Sequence, residues 1–172
     1  MTRRVDTPLV RKSIGNLERQ NLFKAYDDVF KEWESEGIIE RVLEGEIDTF
    51  AHYLPHRPVI KSQGTTKIRP VFDASACVKG YPSLNQCLEK GPNLIEIIPS
   101  SINKFREGEI GVVSDIRKAF LQILINEHDR NFLRFFWIRD KEIVVFRHCR
   151  VVFGLASIFT RSCNCVTFEQ SA

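Results

Sequence analysis

The sequence predicts an α+β fold, and three observations carry that prediction. Apolar residues at Leu22, Tyr26, Val29, Phe30 and Trp33 recur at helical spacing. Short apolar runs with turn residues between them recur from residue 59 to residue 146, each of strand length. No regular βαβ rhythm connects the two kinds of segment, which sets a doubly wound sheet aside.

The elements follow in order. Residues 1–15 lack periodicity and read as a flexible N-terminus. An amphipathic helix is predicted over 17–33, with Gly37 as its stop and Ile38-Ile39 beyond. Pro55 and Pro58 force an extended path into a short strand at Val59-Ile60, and Gly64-Thr65-Thr66 makes a turn. Residues 68–73 read as a strand, with Arg69 and Phe72 expected on one face and Pro70 arguing for a sheet edge. Residues 77–93 read as loop. Ile98, Ile102 and Phe105 space as a helix with Pro99 in its first turn. Strands are expected over 109–114, 121–125, 132–138 and 143–146, the last two joined by the charged turn Arg139-Asp140-Lys141-Glu142. A helix is expected to begin after Val151.

Composition narrows the function classes. A chain of 172 residues, 43% of them hydrophobic, has enough apolar material for one core and is not a disordered tract. Its apolar runs are far shorter than the ~20 residues that span a bilayer. Met1 to Asp6 leads into no apolar signal segment. Five cysteines without a C-x-x-C pair fit neither a zinc site nor a disulfide framework. The expectation is an intracellular, cytoplasmic chain with free thiols. Arg57, Lys61, Lys67 and Arg69 form a basic stretch without an acid, which suits phosphate or a solvated loop equally.

The strongest local pattern runs from Ile110 to Ile123. An apolar strand delivers Asp115 at its C-terminal end, and Phe120 follows five residues later. A carboxylate at a sheet mouth suits a hard divalent cation together with substrate phosphate. The alternative is a helix N-cap following a strand.

This segment resembles motif A of reverse transcriptases. Upstream, Thr65-Thr66-Lys67-Ile68-Arg69-Pro70-Val71-Phe72-Asp73-Ala74-Ser75-Ala76, Ser83-Leu84-Asn85 and Gly91-Pro92-Asn93-Leu94 resemble the fingers of the Pao/BEL class of LTR retrotransposon polyproteins. Gly37-Ile38-Ile39-Glu40 and Tyr53-Leu54-Pro55-His56-Arg57-Pro58-Val59-Ile60 are similar to its lead-in. His128-Asp129-Arg130, Arg134-Phe135-Phe136-Trp137 and Val152-Phe153-Gly154-Leu155 continue the likeness in the same order. The resemblance spans roughly residues 20–160 and implies a lead-in helix and fingers-like region over 16–108 and a partial palm with a degraded C-terminal end over 109–172.

What the resemblance implies is an N-terminal fragment of an RNA-directed DNA polymerase. The complete domain would add deoxynucleotides to a primer 3′-OH on an RNA or DNA template, using Mg²⁺ or Mn²⁺. Asp115 matches the catalytic, metal-binding carboxylate, with the Ile116 carbonyl as a further ligand. Lys118 and Ala119 match positions whose backbone amides face the triphosphate, and Phe120 matches the aromatic that crowds a ribose 2′-OH. Arg69 matches the fingers guanidinium on the triphosphate. Lys61 and Lys67 compete for the fingers lysine. Phe153 and Gly154 match the start of motif B.

Two departures accompany the likeness. The aromatic-x-Asp-Asp hairpin expected after motif B is missing, and two cations need at least two carboxylates. Tyr26-Asp27-Asp28 spells that element far upstream of Asp115, inside the first helix, where Asp27 and Asp28 read as surface charges. In addition, Phe153-Gly154-Leu155-Ala156-Ser157-Ile158-Phe159 is one residue short of the family's pattern and lacks its Pro. The isolated chain is therefore expected to be inactive. The alternative is a remnant that at most binds nucleic acid or protein. His52 and His56 have zincin spacing, but Pro55 prevents the helix this motif needs.

Overall fold

The structure is a computed structural model that describes residues 14–60, 68–88, 93–155 and 168–169. Lys61, Lys67, the turn at Gly64-Thr65-Thr66 and the segment after Leu155 lie outside the described residues, apart from the backbone of 168–169.

The chain opens with helical residues 14–19 (α1) and a turn at Asn21, which adopts a positive φ of 53°. The predicted single helix is thus two, and the second, α2 (Phe23–Ser35), carries the periodic face. Tyr26 and Phe30 are buried, while Leu22, Val29 and Trp33 pack beside them. Gly37 ends α2 as predicted. Its N–H donates to the Glu34 carbonyl and the Ile38 N–H to that of Trp33. That pair of bonds with φ +66° at Gly37 is a Schellman cap, which a residue with a Cβ closes at a steric cost.

Three antiparallel strands form the main sheet, in the order β1 (Ile39–Arg41), β6 (Glu142–His148), β5 (Arg134–Arg139). Arg139 pairs with Glu142 across a two-residue loop in which Asp140 and Lys141 both have positive φ, so the charged connection is a type I′ hairpin turn. Odd-numbered residues of β5 and even-numbered residues of β6 face α2. Phe135, Trp137, Phe146 and His148 are accordingly buried there. Arg134, on the other face of the sheet, is fully buried with no carboxylate partner among the described residues. Its guanidinium donates to the Glu46 and Ile47 carbonyls, Thr49 Oγ1 and Asn131 Oδ1, which ties down the irregular segment between β1 and the next strand.

A second, two-stranded antiparallel sheet pairs β2 (His56–Ile60) with β3 (Ile68–Phe72). Both strands are edges, so Pro58 and Pro70 sit opposite each other without breaking a ladder. Ile68, Pro70 and Phe72 turn inward while Arg69 is exposed. The sequence expectation that Arg69 and Phe72 share a face is therefore corrected: a strand alternates with period two, and residues three apart point to opposite sides.

The stretch expected to be all loop contains one helical turn, α3 (Leu84–Cys87). Ser83 caps it by a reciprocal bond pair with Gln86, the S-x-x-Q capping box. Further on, α4 (Ile98–Phe105) forms as predicted, with Pro99 in the first turn. The expected 121–125 strand shrinks to β4 (Leu124–Ile125) after a 3₁₀ turn at Ala119–Gln122. A two-residue strand β7 (Phe168–Glu169) pairs with it. Residues 151–155 are extended and turn, not the start of a helix.

Candidate functional site

The predicted strand over 109–114 is not formed. Residues 109–116 are irregular, and Ile110, Val112 and Val113 are 86%, 82% and 85% exposed. A strand needs a neighbour to take its N–H and C=O groups, and among the described residues none is paired with this run. Asp115 and Ile116 therefore stand on an exposed segment, not at a sheet mouth. Among the described residues no three His, Cys, Asp or Glu side chains converge as a metal site. A two-cation clamp, whose ions sit about 3.5–4 Å apart, is not assembled by them.

Lys118 begins the ordered part of the motif. It adopts left-handed φ 54°, ψ 40°, from which the Ala119–Gln122 turn starts. Its ammonium donates to Glu32 Oε1 at 2.9 Å and Glu36 Oε2 at 2.9 Å, both on the last turn and cap of α2. The hydrogen bonds it donates to these carboxylates, Glu32 first, raise its pKa above the usual lysine value. Lys118, Glu36, Ile38, Arg117, Leu121, Gln122 and Arg150 line a shallow cleft of about 320 Å³. Ala119 is exposed and Phe120 half-buried.

Phe120 leads to the best-built cluster. Its ring meets Phe153 edge-on, with centroids 4.4 Å apart and planes at 69°. Gly154 follows at φ +105°, and a Cβ there would lie 2.6 Å from the Phe72 carbonyl oxygen. The turn is thus laid directly on the end of β3. Asn85 Nδ2 donates to the Gly154 carbonyl at 2.9 Å and to Ser75 Oγ at 2.8 Å. The Asn85 N–H donates to the Ala74 carbonyl. Ser75 is itself held by Asp73, whose Oδ1 accepts its N–H. Phe120, Phe153 and Gly154 are therefore brought together, and Arg69 stands on the strand that supports them. Its guanidinium has no hydrogen bond or ion pair among the described residues.

Sequence reasoning treated Asn85 only as part of a motif. Its signal was the Ser83–Gln86 capping box, which fixes a one-turn helix and so aims Asn85. Asp27 is a further correction. It is buried, accepts from the Trp137 indole at 2.8 Å and pairs with Lys31 at 2.7 Å. Burial opposes its ionisation, but hydrogen bonds from Lys31 and Trp137 outweigh that and lower its pKa. It is a structural anchor, not a surface charge. Tyr26 lies on the apolar face as expected, its hydroxyl bonded to His56 Nδ1.

Compared with known proteins, the chain matches no family model and no curated protein. No helix among the described residues is long and apolar enough to cross a membrane.

Proposed function

We propose that this chain carries the fingers and the opening part of the palm of a Pao/BEL-type RNA-directed DNA polymerase. In that reading its ligands are a deoxynucleoside triphosphate and an RNA or DNA template with its primer. The observation that carries the reading is the cluster just described. Residues 68–76, 83–85, 115–120 and 152–155 resemble separate polymerase motifs, and each supplies a member of one contact set. Phe120 then crowds the sugar of the nucleotide, and Arg69 offers its guanidinium to the triphosphate. Asp115 supplies one carboxylate, so the chain alone is a nucleotide-binding part of the machinery and not a self-sufficient catalyst.

A second reading takes support from the exposed Asp115 segment: a catalytically inactive remnant that binds nucleic acid or protein. Nucleotide binding separates the two. Saturation-transfer NMR on the purified chain with Mg²⁺ is expected to show dATP binding more tightly than ATP. Arg69→Ala removes a charge-assisted contact worth about 1.5–3 kcal/mol, so it weakens both nucleotides at least about tenfold. Phe120→Val opens space beside the sugar and brings ATP level with dATP. An absence of dATP binding, or a ribo/deoxy ratio that Phe120→Val leaves unchanged, overturns the polymerase reading and leaves the remnant. Primer extension by the chain alone is expected to equal a mock preparation.

A further inference from the structure

The geometry points to Asn85 as a positioning residue for the Phe120–Phe153 pair, and through that pair as a determinant of sugar selectivity. The selectivity clause rests on the polymerase reading; the positioning clause does not.

The argument begins with what holds Phe153 in place. That ring is 55% exposed, so burial in the core does not fix it. Its direction is set by the backbone turn it shares with Gly154. Between the buried Val152 and Leu155, that turn is seated at two points among the described residues. One is the close approach of Gly154 to the Phe72 carbonyl, where even a Cβ has no room. The other is the bond from Asn85 Nδ2 to the Gly154 carbonyl.

A primary amide has two N–H donors, and Asn85 commits both, one to Gly154 and one to Ser75. Its own backbone N–H is bonded to Ala74. One side chain therefore joins the exit of β3, the α3 turn and the 153–154 turn. The close approach sets how near the turn lies, but a steric stop resists motion only inward. The buried Val152 and Leu155 hold the two ends of the turn, and between them the amide bond is the described polar contact that resists outward motion of Phe153 and Gly154. If it is lost, Phe153 can lift away, and Phe120 loses the ring edge that limits its own swing. A gate that can swing discriminates less between ribose and deoxyribose.

The test uses the full chain with labelled phenylalanines. The wild type is expected to show a nuclear Overhauser contact between the rings of Phe120 and Phe153. Asn85→Asp is nearly isosteric but replaces the donor with a carboxylate facing the Gly154 carbonyl, so the ring contact is expected to be lost. Asn85→Ala is expected to behave alike and carries the same test should Asn85→Asp fail to fold. Ser75→Ala removes only the other acceptor of the same amide and is expected to keep the contact.

In the nucleotide titrations, the dATP/ATP affinity ratio is expected to fall at least threefold in Asn85→Asp, with dATP affinity itself within about twofold of wild type. A merely structural role would lower both affinities together and leave the ratio alone. Persistence of the ring contact in both Asn85 variants overturns the positioning role. Loss of the contact with an unchanged ratio overturns the selectivity role. Should the wild type bind neither nucleotide, the polymerase reading falls and takes the selectivity clause with it, while the ring contact still decides the positioning role.

Discussion

Gly154 is the residue with least freedom to change. Its φ of +105° is one that L side chains rarely adopt, and the atom a Cβ would strike is backbone oxygen, which cannot rotate aside. Gly154→Ala must therefore strain the turn or push it off β3. A cost of about 1–3 kcal/mol is expected from urea unfolding. A change below about 0.5 kcal/mol would mean that the turn is not seated on Phe72. Gly37 makes the contrast: its φ is positive too, but a Cβ there meets nothing. At this scale the sequence showed which residues matter better than why. Helical spacing alone turned Tyr26 and Phe30 inward. Asp27 lies beside them on the helix, and only its partners explain its burial: Trp137 comes from a strand more than a hundred positions away and was not visible as a neighbour. Asn85 was legible as a motif letter, but its two acceptors come from the far ends of other segments.

Elements whose logic is local were readable. The apolar face of α2, its glycine stop, Pro99 at the head of α4 and the β5–β6 hairpin all depend on residues within a turn or two of one another. The run 109–114 was not readable, because an apolar, β-branched sequence specifies a strand only where another strand is present to pair with it. The break at Asn21 was missed for a different reason: the periodic residues begin only at Leu22, and the turn before them is made by one residue taking a positive φ, which spacing does not reveal. The hairpin offers a direct check. A type I′ turn asks for positive φ at both central residues, and this chain places Asp140 and Lys141 there at 52° and 69°. Asp tolerates that region better than Lys, whose side chain has no local bond to offer. Lys141→Gly removes the steric cost but adds freedom to the unfolded chain, so the expected net gain is about 0.5–1 kcal/mol. Thermal unfolding would show it as a raised Tm. An unchanged or lowered Tm would indicate that the turn relaxes out of the left-handed region in solution.

Across the whole molecule, stability depends on an aromatic core in which two histidines are embedded. His56 sits among Tyr26, Phe30, Phe72, Phe135 and Trp137. Its Nε2 lies 2.9 Å from the Phe136 carbonyl, which only accepts, so Nε2 carries the proton and Nδ1 accepts from the Tyr26 hydroxyl. His148 is fully buried against Trp33, Phe72 and Phe135, and neither ring nitrogen has a hydrogen-bond partner among the described residues. Burial pushes the pKa of His56 down to about 4, against a small opposing effect of the Phe136 carbonyl. Burial, with the nearby His56 adding to it, pushes His148 down to about 3. Both are thus neutral in the folded protein where an unfolded chain, with a histidine pKa near 6.5, already takes up protons. The unfolded state binds more protons between these values, so stability rises with pH in that window. It is fully present above about pH 6.5 and is lost progressively as pH falls toward 4 and then 3. Both depressions act in the same direction, so the two losses reinforce each other as the pH falls. Asp27 and Glu40, whose pKa values are lowered, add their own loss only as pH drops through the carboxylate range. Urea midpoints measured from pH 7.5 to 4.5 are therefore expected to decline from the point where the pH falls below about 6.5. His148→Gln keeps a polar side chain of similar size without the titration, and its profile is expected to be flatter between pH 6.5 and 4.5 whatever its stability at pH 7.5. A wild-type midpoint that stays level down to pH 5 would mean that water reaches both rings in the folded state.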